Sequence, residues 1–374
     1  MLELHAPRNV DTGAVPASVP APETELKPRR SRRRLLKRLV LVGVALGVVV
    51  GTFAYVLPSI ADYGDVWKVI TGLSTAWIVA LLCMTAVNLV TFAPPWQVAL
   101  PGLKFRRAME LTQASTALSL VLPGGAAVGI AGGYAMLRRW RFPRQDIARA
   151  LTLTGLWSQF MNLTYPILAV FLLTVSGEQS AALATAAFIG VAVLGIVVAG
   201  FVLVLVSRRL AHDIGEVAAR FANWGLGKIR RGPVEWGGES FERFRESIGD
   251  FVERRWALLT LTSLAGSLTV FGVLLVSLRA LGVTASQVSV VEAFAAWALV
   301  RLVASIPITP GGIGVVELGL TGALVGFGGS NAPVVAAVLV FRVLTVVPTL
   351  LLGLVSAGLT WRRGRAPQVA DAPG

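Results

Sequence analysis

Cysteine and histidine are almost missing from this sequence. Cys83 is the only cysteine in 374 residues, so the chain holds neither an intramolecular disulfide nor a cysteine-based metal cluster. His5 and His212 are the only histidines, which excludes a histidine metal site and a Ser-His-Asp triad within this chain. No Gly-Lys-Ser/Thr phosphate loop is present, so ATP hydrolysis by this chain is not expected. Charge itself is scarce: Asp, Glu, Lys and Arg make up 14% of the residues, against 55% hydrophobic, and the mean hydropathy is +0.72. Ordinary soluble domains do not have this balance. Acidic residues are the rarer sign, 20 against 34 basic, for a net charge of +14. No metal or cofactor is expected.

What the chain does have is long apolar runs of 18 residues or more, the pattern of transmembrane helices. The basic residues sit at their ends. Lys27, Arg29, Arg30, Arg32, Arg33, Arg34, Lys37 and Arg38 crowd before the first run. Pairs follow at Arg106-Arg107, Arg138-Arg139, Arg208-Arg209, Arg254-Arg255 and Arg362-Arg363. That is the distribution of cytoplasmic topology anchors. No base-reading module accompanies the charge, so nucleic acid is not an expected partner. The Pro- and Ala-rich residues 1–26 read as disordered. Residues 1–38 together form a polybasic cytoplasmic tail, 39–361 a polytopic membrane domain and 362–374 a second cytoplasmic tail. Ser31 to Lys37 resembles a twin-arginine export signal. The apolar run from Leu39 to about Leu57 is longer than a signal core, and reads as a retained first helix.

Six full transmembrane helices follow from the charge pattern, at about 39–57, 76–99, 148–175, 181–206, 256–278 and 332–359. The second is interrupted by Pro94-Pro95. Residues 207–255 carry mixed charges and read as a cytoplasmic loop with an amphipathic, interfacial helix around Phe241–Glu246. Two segments do not fit as spans. Residues 108–137 contain Pro123-Gly124-Gly125, and residues 284–328 contain Pro310-Gly311-Gly312. A breaker within hydrocarbon frees backbone groups at several kcal/mol each, and is tolerated only where protein or water covers it. Arms of about 12 to 15 residues are too short for ~30 Å at ~1.5 Å per residue. Both segments therefore read as re-entrant helical hairpins, although the arm before Pro310 is the longest of the four. Basic flanks place both ends of the first hairpin inside. Uncharged Gly328-Gly329-Ser330-Asn331 and the basic C-terminal end place both ends of the second outside, with Arg279 as a mild counter-signal. The expected fold is an all-α integral membrane protein with an inverted repeat and both termini cytoplasmic.

The stretch Ile308-Thr309-Pro310-Gly311-Gly312-Ile313-Gly314-Val315-Val316-Glu317 resembles the signature of the lysylphosphatidylglycerol synthase transmembrane region. Phe341-Arg342-Val343-Leu344 with Pro348 and Gly353 resembles that family's last helix. Leu122-Pro123-Gly124-Gly125 with Tyr134 and Arg138-Arg139 is similar to its first hairpin, although Ala126-Ala127-Val128-Gly129 lacks the charges some members carry there. The resemblance covers roughly residues 35–365. The family includes the flippase half of the bacterial multiple peptide resistance factor. The resemblance implies translocation of a phospholipid or lipid-linked amphiphile between leaflets of a bacterial inner membrane. It also implies what to expect beyond the membrane part: bifunctional members add a soluble aminoacyl-tRNA-dependent transferase, whereas only thirteen residues follow Trp361 here. Lipid synthesis by this chain is accordingly not expected.

Charges at mid-membrane cost ~2.5–3.5 kcal/mol and normally face a cavity or a partner. Arg301, Glu317 and Arg342 lie in or beside the second hairpin; Glu292 lies near its outer end and Glu110 at the mouth of the first. Two arrangements stay open. Glu317 pairs with Arg301 or Arg342 as an internal tie, or Arg301, Arg342 and the Gly311-Gly312 amides accept a lipid phosphate with Glu317 positioning them. Pro123, Gly124, Gly125 and Pro310 are the structural or gating elements. Gly43, Gly47 and Gly51 read as helix packing, Trp77, Trp96 and Trp157 as anchors or packing, Cys83 as a small packing residue, and Asn88, Gln159 and Asn162 as interhelical hydrogen-bonding groups. The competing readings are a scaffold for a lipid-modifying enzyme and, less favoured for want of a catalytic constellation, a membrane-embedded lipid enzyme. Headgroup, direction, energy source and homo-oligomerisation are not readable from the sequence.

Overall fold

The computed structural model describes residues 62–121, 125–177, 238–305 and 309–363, with isolated positions between 196 and 220. The expected first span, all but isolated positions of the expected fourth, the Gly43-Gly47-Gly51 stripe, Pro123 and Gly124 lie outside the described residues. The described elements are helical, with no strand among them. They are α1 (Tyr63–Thr71), α2 (Thr75–Thr91), α3 (Pro94–Ala99), α4 (Phe105–Val121), α5 (Gly125–Arg139), α6 (Arg144–Val175), α7 (Gly238–Ala280), α8 (Val290–Ala304), α9 (Val315–Gly326) and α10 (Asn331–Arg363).

Local chemistry sets the helix ends. Asp62 caps α1 by accepting from the Gly64 amide at 2.7 Å. Ser289 and Glu292 form a reciprocal capping box at the start of α8, with the Glu292 carboxylate accepting from the Ser289 amide at 2.6 Å. Glu292 is therefore committed to starting a helix. At the other end of the same turn, Arg279 donates to the Val283 carbonyl at 2.8 Å and the Val288 carbonyl at 2.9 Å. These two bonds fix the loop between α7 and α8.

Four helices are long and apolar enough to cross a membrane: Thr75–Ala99 (α2 continued through α3), Arg144–Val175, Phe251–Ala280 and Asn331–Ser356. Their outer faces carry exposed Leu82, Val87, Leu261, Leu351 and Val355. In water such faces would aggregate; against lipid they cost nothing. Cys83 belongs to this outer surface. It is exposed on α2 and is not the packing residue expected from the sequence.

From Gly238 onward the polar stretch is helical, including Phe241–Glu246, and it runs unbroken into the fifth span as the 43-residue α7, with Ile248 and Phe251 in the core. One further expectation is corrected. The arm before Pro310 is not the longest of the four. It ends at Ala304 after 15 residues, whereas α4 has 17, α5 has 15 and α9 has 12.

The two hairpins α4–α5 and α8–α9 sit among the long helices in a reciprocal way. The first arm of each packs on the helix that follows the other: α4 on α10, and α8 on α6. Close approach depends on glycine. A Cβ on Gly353 of α10 would fall 2.5 Å from the Gln113 carbonyl of α4, and one on Gly129 of α5 would fall 2.6 Å from the Ser115 carbonyl. Two cores result. One gathers Tyr165, Leu274, Leu278, Phe294, Trp297 and Leu324; the other gathers Leu111, Leu137, Ile147, Leu153, Trp157 and Leu259. In the first, Tyr165, Phe271, Phe294 and Trp297 meet with centroids 5.1–6.3 Å apart, each such pair worth about 0.5–1.5 kcal/mol beyond burial.

Candidate functional site

The second break is built on three left-handed glycines. Pro310 opens a short 3-10 turn through Gly312, with φ of +63° at Gly311, +66° at Gly312 and +87° at Gly314. Any other residue would cost about 1–2 kcal/mol at each of these positions. The turn abuts the first hairpin. A Cβ on Gly311 would collide with the Leu120 side chain near the end of α4, so the broken tip of one hairpin rests on the other.

Glu317 and Arg342 hold this turn. The Glu317 carboxylate, 2% exposed as a residue, accepts from Arg342 Nε at 2.7 Å and from the Gly314 amide at 2.7 Å. Arg342 Nη2 donates to the Gly311 carbonyl at 3.1 Å. One buried ion pair thus closes the start of α9 and ties it to α10. Of the two pairings left open by the sequence, Glu317 is with Arg342. The amides expected to bind phosphate are largely committed as well. The Gly312 amide donates to the Thr309 carbonyl at 3.1 Å, and the positive end of α9 is covered by its own carboxylate. Gly311 contributes its carbonyl, not its amide, to the contacts seen here.

Arg301 is in a different situation. It sits on α8, half-buried, with neutral partners. Its Nε donates to Asn162 Oδ1 at 2.8 Å and its Nη2 approaches Ser267 Oγ at 3.4 Å. Asn162 is in turn held by its Nδ2 donating to Gln159 Oε1 at 3.0 Å. The guanidinium lies over Trp297 and Tyr165, 5.3 and 5.7 Å from the ring centroids, a cation–π arrangement. No carboxylate pairs with it among the described residues. Asn88 of α2 donates to Thr269 of α7 at 3.0 Å, and Trp157 donates to Thr260 at 2.8 Å. These polar groups join helices, as does Asn162.

Two cavities share Arg301 and Thr116 in their walls. One, of about 250 Å³, is lined by Leu120, Gly311, Val316, Phe341 and Arg342 among others. The other, of about 290 Å³, is lined by hydroxyls from three helices: Thr112, Ser115 and Thr116 of α4, Thr154 and Ser158 of α6, Ser263 and Ser267 of α7. Arg301 is the single ionisable residue among the described residues lining this second chamber. Arg301, Arg342 and Gly311 therefore come together around the smaller cavity. Glu317 stands behind Arg342, and Glu110 stands apart, 3.3 Å from Arg106. Gly125, with φ of +44°, begins α5 after the first break.

The hydroxyl chamber was not anticipated from the sequence. Its signal is the spacing of four between Thr112 and Thr116, Thr154 and Ser158, and Ser263 and Ser267, which puts each pair on one helix face. The family model described as the lysylphosphatidylglycerol synthase TM region matches residues 40–353, far more than half of the chain. No curated protein matches it.

Proposed function

This chain belongs to the lysylphosphatidylglycerol synthase TM-region family, and from that premise we propose that it moves a phospholipid or lipid-linked amphiphile between membrane leaflets. One observation carries the reading. Arg301 keeps a guanidinium inside the membrane domain, at the wall common to two cavities, with neutral partners and aromatic faces. A charge so placed costs ~2.5–3.5 kcal/mol and is offset when an anionic group docks against it. A guanidinium fork suits a phosphate through two parallel bonds. In this reading Arg301 meets the lipid phosphate, with Arg342 also in the wall of the smaller cavity. Glu317 neutralises Arg342 and, with Gly311, Gly312 and Pro310, fixes the shape of the tip.

The hairpins enter from opposite faces and meet near the middle of the bilayer. At ~1.5 Å per residue, the arms reach about 25, 22, 22 and 18 Å, short of the ~30 Å hydrocarbon thickness. The exchange of partners between α4–α10 and α8–α6 is what an inverted repeat produces. With the two apolar runs at about 39–57 and 181–206, the four described spans make six. The basic residues at the ends set both termini in the cytoplasm of a bacterial cell, with the protein in its inner membrane.

The test is a leaflet-resolved assay with purified protein in proteoliposomes, using tail-labelled phospholipids and polyprenyl-linked lipids and a membrane-impermeant quencher. The reading expects at least one probe to exchange leaflets faster than in protein-free vesicles. Equal rates for the whole panel would overturn it.

A further inference from the structure

We infer that the lipid taken by this site joins its phosphate to an uncharged, hydroxyl-bearing headgroup of the glycerol or sugar type, and that aminated headgroups are disfavoured. The inference rests on the translocation reading and names the substrate class of that same site. It comes from the chamber on the far side of Arg301 from the Pro310 turn.

Three hydroxyls in that chamber, Thr116, Ser158 and Ser263, line it and have no hydrogen-bond partner within the described structure. The others are partly committed. Thr112 and Thr154 donate at 2.8 Å, and Ser115 at 3.2 Å, to carbonyls one turn earlier in their own helices, and Ser267 faces Arg301. A free hydroxyl both donates and accepts, so a set of them matches the mixed donors and acceptors of a polyol. An ammonium offers donors alone and needs concentrated negative charge. The described linings of both cavities contain no carboxylate. The nearby acids are already engaged: Glu317 with Arg342 and the Gly314 amide, Glu292 with Ser289, Glu110 beside Arg106. Arg301 would also repel a second cation.

Size agrees with charge. About 290 Å³ lies near the ~300 Å³ lower end of ligand pockets, room for a small headgroup while the acyl chains stay in lipid. The phosphate then meets Arg301, and the glycerol or sugar hydroxyls meet Ser158 of α6 and Ser263 of α7. Phe92 and Trp96 also line the chamber and offer aromatic faces to a quaternary ammonium, so a choline headgroup is the critical competitor.

The experiment compares four tail-labelled probes with identical chains in proteoliposomes of the full-length protein: phosphatidylglycerol, phosphatidic acid, phosphatidylcholine and lysyl-phosphatidylglycerol. Phosphatidylglycerol should cross fastest, about tenfold ahead of the choline and lysyl lipids. The double variant Ser158→Ala/Ser263→Ala should lower the phosphatidylglycerol-to-phosphatidic-acid rate ratio about tenfold, the loss expected from one to two hydrogen bonds. Choline or lysyl lipid crossing as fast as phosphatidylglycerol overturns the inference while leaving translocation standing. So does an unchanged ratio in the double variant. If none of the four probes moves, the headgroup assignment is overturned; translocation itself fails only if the polyprenyl-linked lipids of the wider panel stay in their leaflet as well. The ranking of the four probes needs only the wild-type protein, so it decides the matter even if the double variant folds poorly.

Discussion

Removing the Glu317 carboxylate should destabilise the protein more than any other single change at the second hairpin. Glu317→Ala deletes two 2.7 Å hydrogen bonds at once, one to Arg342 and one to the Gly314 amide. It also strands the Arg342 side chain, 15% exposed, with the Gly311 carbonyl as its remaining described partner. Breaking a buried ion pair from one side costs about 3–5 kcal/mol, because the surviving charge stays desolvated. Most of that cost disappears when both charges go. Glu317→Leu/Arg342→Met should therefore be more stable than Glu317→Ala, and the cycle built from Glu317→Ala and Arg342→Ala should show a coupling of at least about 1 kcal/mol. Glu317→Gln should fall between, since an amide oxygen still accepts from Gly314 but no longer balances the guanidinium. Equilibrium unfolding in mixed micelles, followed by circular dichroism, supplies the free energies. A Glu317→Ala protein within 1 kcal/mol of wild type, or a coupling of zero, would refute the argument that this pair holds the turn.

Other consequences follow from the packing. Gly311→Ala places a side chain at φ +63° and against Leu120, and should cost at least about 1–2 kcal/mol in the same unfolding measurement; Leu120→Ala should recover part of the loss. Gly353→Val should force α10 away from α4 at Ala117 and Gln113, lowering thermal stability in detergent, whereas Gly155→Ala, with open space around it, should leave it unchanged. Cys83, exposed on the apolar outer face of α2, should react in membranes with an apolar maleimide far faster than with a charged one; equal rates would place it at water.

How far the site was legible depends on what each signal needed. The breaks announced themselves because proline and glycine interrupt an apolar helix in any environment. The charges near Pro310 were visible for the same reason, since Arg301, Glu317 and Arg342 stand out in an apolar stretch. Which arginine took the carboxylate was not legible. It depends on α10 crossing the first turn of α9, a tertiary fact, and either pairing is compatible with the spacing. The hydroxyl chamber escaped because its walls come from α4, α6 and α7, far apart in the chain. Only the spacing of four within each helix pointed to it. The lipid-facing position of Cys83 escaped because a cysteine fits either face of an apolar helix; the face itself was marked by Thr85, Asn88 and Thr91, whose side chains lie toward α7 or the helix backbone. The unbroken α7 was obscured by composition: residues 238–250 carry mixed charge and end in Gly249-Asp250, which reads as a boundary, yet with no proline present the helix runs through them.

The central claim is that Arg301 receives the lipid phosphate, and one comparison tests it most directly. Transbilayer exchange of tail-labelled phosphatidylglycerol would be measured in proteoliposomes bearing wild-type protein, Arg301→Lys or Arg301→Ala, each checked for an unchanged melting temperature. A charge-assisted contact of about 1.5–3 kcal/mol predicts a loss of roughly 10- to 150-fold for Arg301→Ala, with Arg301→Lys in between. Exchange by a well-folded Arg301→Ala protein at the wild-type rate would contradict the account.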